Sequence, residues 1–226
     1  MLNFLYGPLL YIAVAVFVIG MIARVVLYIK GLSQKLDRVA YKPQMGLGLQ
    51  GALHSIFKWV LPGGTRAWRI NPFMTAVFFM FHIGMVLLPL FLLQHVVVIE
   101  YMFGISLPSL PSGLADVLSI VAVLGLLGLA YRRIACSAAK ALTTKQDWFV
   151  LILAGLPLVT GIMFRFSVSS YEFWEFAHIL TAEIFLIAAP FTKLSHIVLF
   201  FMSRAQIGMD FAIKRGGHNR GPAFPW

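Results

Sequence analysis

Six histidines, His54, His82, His95, His178, His196 and His218, are the residues whose type and spacing could do chemistry. A polar ring in apolar surroundings needs a partner, and in helical membrane proteins that partner is often a metal or cofactor. Four of the six fall in two long apolar runs, two in each. His178 and His196 are eighteen residues apart, five full turns, so on a straight helix they share a face about 27 Å apart along the axis. Two haems stacked across a membrane need that arrangement. His82 and His95 are thirteen residues apart, which sets them about 220° out of phase on an ideal helix. Pro89 lies between them and supplies a kink, with room for a local bulge that changes the phase. If the two runs are antiparallel, His82 pairs with His196 and His95 with His178. Each pair suits bis-histidine ligation of a b-type haem, because no Cys-x-x-Cys-His exists for covalent attachment. His54 is the reserve ligand or an interfacial residue. His218, in a glycine-containing polar tail, reads as solvated.

Other polar residues stand out against the same apolar background. Glu183 lies five residues beyond His178, either as a neutral acid bonded to a neighbouring helix or as a proton carrier beside the outer haem. Lys193 precedes His196 by three residues, on nearly the same face, either snorkelling to the interface or pairing with a haem propionate. Arg24, Arg66 and Arg69 compete for that second role. Arg165 and Tyr171 are placed to meet a quinone carbonyl or a propionate. Glu100 and Glu175 add further polar groups at the same end. The single cysteine, Cys136, permits no intrachain disulfide, and no zinc or iron–sulfur ligand spacing is present.

The elements that must position these residues are membrane spans. Of the 226 residues, 60% are hydrophobic and 12% charged, against roughly 45–50% and 25% in soluble domains. Five apolar stretches, at about 7–29, 72–99, 114–131, 148–166 and 174–202, are long enough to cross a bilayer. The first lacks the basic flank and small-residue cleavage site of a signal peptide and reads as a retained helix. Fifteen of the eighteen basic residues fall in the segment 30–71, the third-to-fourth connection or the tail 203–226. The connections 100–113 and 167–173 contain none. The positive-inside rule then places the N-terminus outside and the C-terminus in the cytoplasm. The net charge of +10 is thus a topology signal, and nucleic acid is not expected as a partner. In the first cytoplasmic loop, Leu53, Ile56, Phe57 and Val60 recur at helical spacing, which predicts a short amphipathic helix at the membrane surface. The expected fold is one all-α membrane domain of five transmembrane helices.

At this point the residues resemble a known family. Ala189-Pro190-Phe191-Thr192-Lys193-Leu194-Ser195-His196 is similar to the fifth-helix signature of the nitrate reductase gamma subunit superfamily, in which a second histidine precedes the motif as His178 does here. Phe81-His82-Ile83-Gly84 resembles its second-helix motif. Arg132-Arg133, with Thr143-Thr144-Lys145-Gln146-Asp147 opening a span that ends in Thr160-Gly161, resembles its third-to-fourth connection. The likeness covers about residues 70–205. The nitrate reductase pattern sets its two second-helix histidines closer together than the thirteen residues found here. That departure points to the membrane cytochromes of sulfate-reducer redox complexes, among them those linked to dissimilatory sulfite reductase and to the periplasmic tetrahaem cytochrome. The resemblance implies two haems b, held by His82, His95, His178 and His196, with menaquinone or another quinone reacting at the outer haem. It also implies a bacterial inner-membrane location. A cytoplasmic iron–sulfur subunit of heterodisulfide-reductase type and a periplasmic multihaem cytochrome c are the implied partners. The rival class is a redox-silent anchor or a transporter using Glu183 and Lys193 as an ion relay, with helices broken at Pro157 and Pro190.

Overall fold

The computed structural model describes residues 4–32 and 45–214. Lys35, Arg38, Lys42, Arg215 and Arg220, five of the basic residues behind the topology reading, and His218, read as solvated, lie outside the described residues. No strand occurs among the described residues. The helices are α1 (Leu10–Gly31, entered through a π turn at Leu5–Leu9), α2 (Met45–Val60), α3 (Arg66–Ile70), α4 (Pro72–Phe91), α5 (Leu93–Phe103), α6 (Ser112–Ala135), α7 (Ser137–Leu142), α8 (Lys145–Phe166), α9 (Tyr171–Ala188) and α10 (His196–Lys214). Five segments are long and apolar enough to cross a membrane: Leu5–Gly31, Pro72–Phe91, Ser112–Ala135, Lys145–Phe166 and Tyr171–Phe191. Their outward faces are apolar, as at Ile19, Ile22 and Leu27 of α1, which is the surface a bilayer requires.

Local chemistry fixes where several helices start. Asn71 caps α4 by accepting from the Met74 amide at 3.2 Å, and Pro72 follows at the first helical position, where its missing N–H costs nothing. Thr144 and Asp147 form a capping box at the head of α8, with the Thr144 amide donating to Asp147 at 2.8 Å.

Two spans end earlier than the apolar runs do. The run 72–99 is two helices, because Leu92 is extended (ψ 133°) between α4 and α5. The break falls three residues after Pro89, and the Phe91 carbonyl it frees accepts from the Leu110 amide at 2.8 Å. The run 174–202 is also interrupted. After α9 the chain passes through short 3-10 turns, Ala189–Phe191 and Lys193–Ser195, with Thr192 fully extended between them. His178 and His196 therefore do not share one straight helix, and their expected common face is corrected. The resemblance motif Pro-Phe-Thr-Lys-Leu-Ser-His is the break itself.

The chain divides into two compact units. In the first, residues 4–11 and 76–185, α4, α6 and α8 pack through small residues: Gly84 of α4 lies against Ala122 of α6, and Gly155 of α8 against Leu126. In the second, residues 12–32, 45–75 and 186–214, α2 runs along α10. A Cβ on Gly51 would lie 2.3 Å from the Gly208 carbonyl oxygen, and one on Gly208 would lie 2.2 Å from that of Gly51. Only glycine permits this backbone approach. The expected amphipathic helix is thus present with both faces defined: Leu53, Phe57 and Val60 are exposed, whereas Ala52 and Ser55 are buried. In the same unit Tyr28 bonds to Gln206, and the Arg204 guanidinium lies over the Trp59 ring.

Candidate haem-ligand site

The break at Leu92 brings His95 to His178. Had α4 continued, the helical phase would have turned His95 away from its partner. Restarting at Leu93 lets the His95 ring reach back seven residues, where Nδ1 lies 2.9 Å from the Leu88 carbonyl oxygen. His178 on α9 makes the matching contact to another helix, with Nδ1 3.0 Å from the Pro157 carbonyl oxygen of α8. The two imidazole planes are 14° apart and their centroids 6.0 Å apart.

The chemistry of both rings follows from their hydrogen bonds. A carbonyl oxygen only accepts, so Nδ1 of each ring carries the proton and Nε2 keeps its lone pair. A histidine so held is a pre-oriented ligand, because the backbone acceptor fixes tautomer and ring plane. Two imidazoles on opposite sides of one metal, with metal–nitrogen bonds of roughly 2 Å, have ring centres about 6 Å apart. The separation is of the size that such ligation needs, and ligation further requires the two Nε2 atoms to face one another across the metal.

Gly161 makes room for one of them. A Cβ there would lie 3.0 Å from Cε1 and 3.1 Å from Nδ1 of His178. The absent side chain also uncovers the carbonyl of Pro157 one turn earlier, so a second donor can reach it. Phe164, one turn further on, lines the same ring with centroids 6.3 Å apart. Thr160 and Thr181 join α8 to α9 at the next level, oxygen to oxygen at 3.1 Å. The Leu88 and Pro157 carbonyls were not anticipated from the sequence. Pro157 and Gly161, spaced by one turn in an otherwise apolar span, are the signal that could have found the second of them.

The other candidate ligands are placed separately. His82, in the first unit, has Nδ1 2.8 Å from the Phe78 carbonyl oxygen and stacks on the Phe78 ring at 3.9 Å. His196, in the second unit, has Nδ1 2.8 Å from the Lys193 carbonyl oxygen and is exposed. In each, Nδ1 therefore carries the proton. Lys193 stands in the 3-10 turn ahead of α10 rather than on the helix that carries His196, which corrects the expected shared helical face. His54 is half-buried on α2.

Two arginines expected near a cofactor have protein partners. Arg165 forms a two-pronged ion pair with Asp116 of α6, at 2.9 and 3.1 Å. Arg24 donates to the Pro190 carbonyl, where the helix break leaves that oxygen without its helical donor. Tyr6 bonds to Glu175 in the first turns of α9. Glu183 is 1% exposed.

No family model matches the chain, and no solved structure matches it. A protein of Nitratidesulfovibrio vulgaris (strain Hildenborough) is 58% identical over 226 residues, covering the whole of both chains. Its description, "Protein", names no activity.

Proposed function

We propose that this chain, which belongs to one family with the Nitratidesulfovibrio vulgaris protein, is a membrane cytochrome b, an electron-transfer subunit of a respiratory redox complex. The observation that carries the reading is the His95–His178 pair, with near-parallel rings 6.0 Å apart and each Nδ1 tied to a backbone carbonyl. Haem b, when bound, supplies reversible one-electron chemistry. His95 and His178 would hold it through Nε2. The Leu88 and Pro157 carbonyls keep both rings in the ligating tautomer and ring plane. The apolar spans exclude water from the site.

A quinone of the membrane pool, menaquinone or another, is the small-molecule redox partner, reacting beside this pair. Tyr6, Tyr171 and Glu175 provide hydroxyl and carboxyl groups in the same unit. The resemblance asks for a second haem b. The asymmetry of basic residues supports an N-terminus outside and a C-terminus inside the bacterial inner membrane. On that orientation the basic cytoplasmic segments suit an acidic surface on an iron–sulfur subunit, and the outer end suits a periplasmic multihaem cytochrome c. Substrate chemistry then lies in those partners.

Visible spectroscopy of the purified full chain tests the reading. Dithionite reduction should bring up the sharp α band of a bis-histidine haem b, and a pyridine haemochrome assay should find two haems per chain. A chain that never carries haem would instead be a redox-silent anchor or a transporter subunit.

A further inference from the structure

Glu183 is the one charged side chain among the described residues that is buried. It is 1% exposed and heads the wholly enclosed side chains in size. Neither of its carboxyl oxygens has a hydrogen-bond partner among the described residues. The residues one turn away on α9, Ile179, Leu180, Leu186 and Ile187, are apolar. Thr181, the nearest hydroxyl along the helix, is bonded to Thr160 and to its own backbone.

Counter-ions within the first unit are accounted for as well. Of the basic residues in the first unit, Arg132, Arg133, Lys140 and Lys145 lie around the α6–α8 connection, and Arg165 is held by Asp116. A carboxylate anion with neither hydrogen bond nor cation is very costly in such surroundings, so Glu183 rests as the neutral acid unless a nearby positive charge supports the anion. His178 is five residues back on the same helix, about 7.5 Å along the axis and about 140° around it, so a charge at the ligand site acts on Glu183 through the apolar interior and not by contact.

We infer that Glu183 is the proton-loading residue of this cytochrome, taking up one proton when the His95–His178 site gains an electron and releasing it when the electron leaves. This rests on the reading of the preceding subsection. A ferric bis-imidazole site carries one positive charge more than a ferrous one, and that charge is what can hold Glu183 as an anion. The balance is one electron delivered by the redox partner and one proton from a hydronium ion of the aqueous phase, whose O–H bond breaks as the carboxyl O–H forms and leaves water; the electron donor's own proton is released separately. Oxidation of the site breaks that bond and returns the proton. Glu183 thereby keeps the charge of an apolar interior constant through each electron transfer.

Redox-difference infrared spectroscopy on the haem-loaded full chain reads this directly. The reduced-minus-oxidised spectrum should gain one band in the protonated-carboxyl C=O region, moving to lower frequency in D2O. Glu183→Gln should abolish the band while the haem spectrum is kept, and Glu183→Asp should retain it at a shifted position, which guards against a glutamine variant that fails to fold. A haem-loaded chain with no such band, or a band that survives in Glu183→Gln, overturns the inference and leaves the cytochrome reading standing. A chain that binds no haem b overturns both.

Discussion

His95 and His178 lie with imidazole planes 14° apart and centroids 6.0 Å apart, each pinned through Nδ1 to a carbonyl of a different helix turn. Neither ring can turn without giving up a backbone hydrogen bond, so plane and tautomer of both are fixed.

If these two residues serve one haem, His95→Ala and His178→Ala should remove the same spectral component and the same haem equivalent. Potentiometric titration of each variant, followed at the α band, makes the comparison. Loss of different components would mean that the two rings belong to different sites.

Gly161→Ala should disturb the site without touching a ligand. The added methyl would lie 3.0 Å from His178 Cε1, tighter than ordinary Cβ packing, so the ring must give by a few tenths of an ångström. The low-spin EPR signal of a bis-imidazole haem responds to the angle between the two rings. The variant should therefore show an altered signal together with lower haem content, whereas an unchanged spectrum would place the metal away from His178.

The Arg165–Asp116 pair gives an opposite expectation. Asp116→Asn and Arg165→Gln should lower thermal stability by similar small amounts and leave haem content unchanged, because each removes half of the same ion pair. Haem loss in Arg165→Gln alone would restore the propionate role read from the sequence.

Gly51→Val and Gly208→Val should each destabilise the contact between α2 and α10. A Cβ at either position collides with backbone of the other helix, and overpacking of this kind typically costs about 1–3 kcal/mol. A thermal melt in detergent should show the loss for both single variants. The double variant should cost less than their sum, since one helix separation relieves both clashes.

Cys136 offers a probe of orientation that needs no engineering. It is the chain's single cysteine and is exposed between α6 and α7. An impermeant maleimide should label it in inverted membrane vesicles and not in intact cells. Labelling from outside would invert the proposed topology.

Much of this was legible in the residues. Span length and charge depletion are summed properties, so five stretches long enough to cross a membrane could be read without any tertiary information, and the segment from Thr143 to Asp147 could be read as opening a span because a cap is chemistry within four residues. The histidines were legible as chemistry because an imidazole among apolar side chains is costly anywhere. The places where helices break were a different matter. Pro89 and Pro190 signalled strain, but the extended residues are Leu92 and Thr192. A break inside an apolar run persists only when something supplies partners to the backbone groups it frees. Those partners come from far along the chain: the Leu110 amide on Phe91 and the Arg24 side chain on Pro190. Helical periodicity carries no record of them, so the thirteen-residue phase conflict between His82 and His95, and the five-turn agreement between His178 and His196, were both properties of continuous helices that the folded chain does not contain.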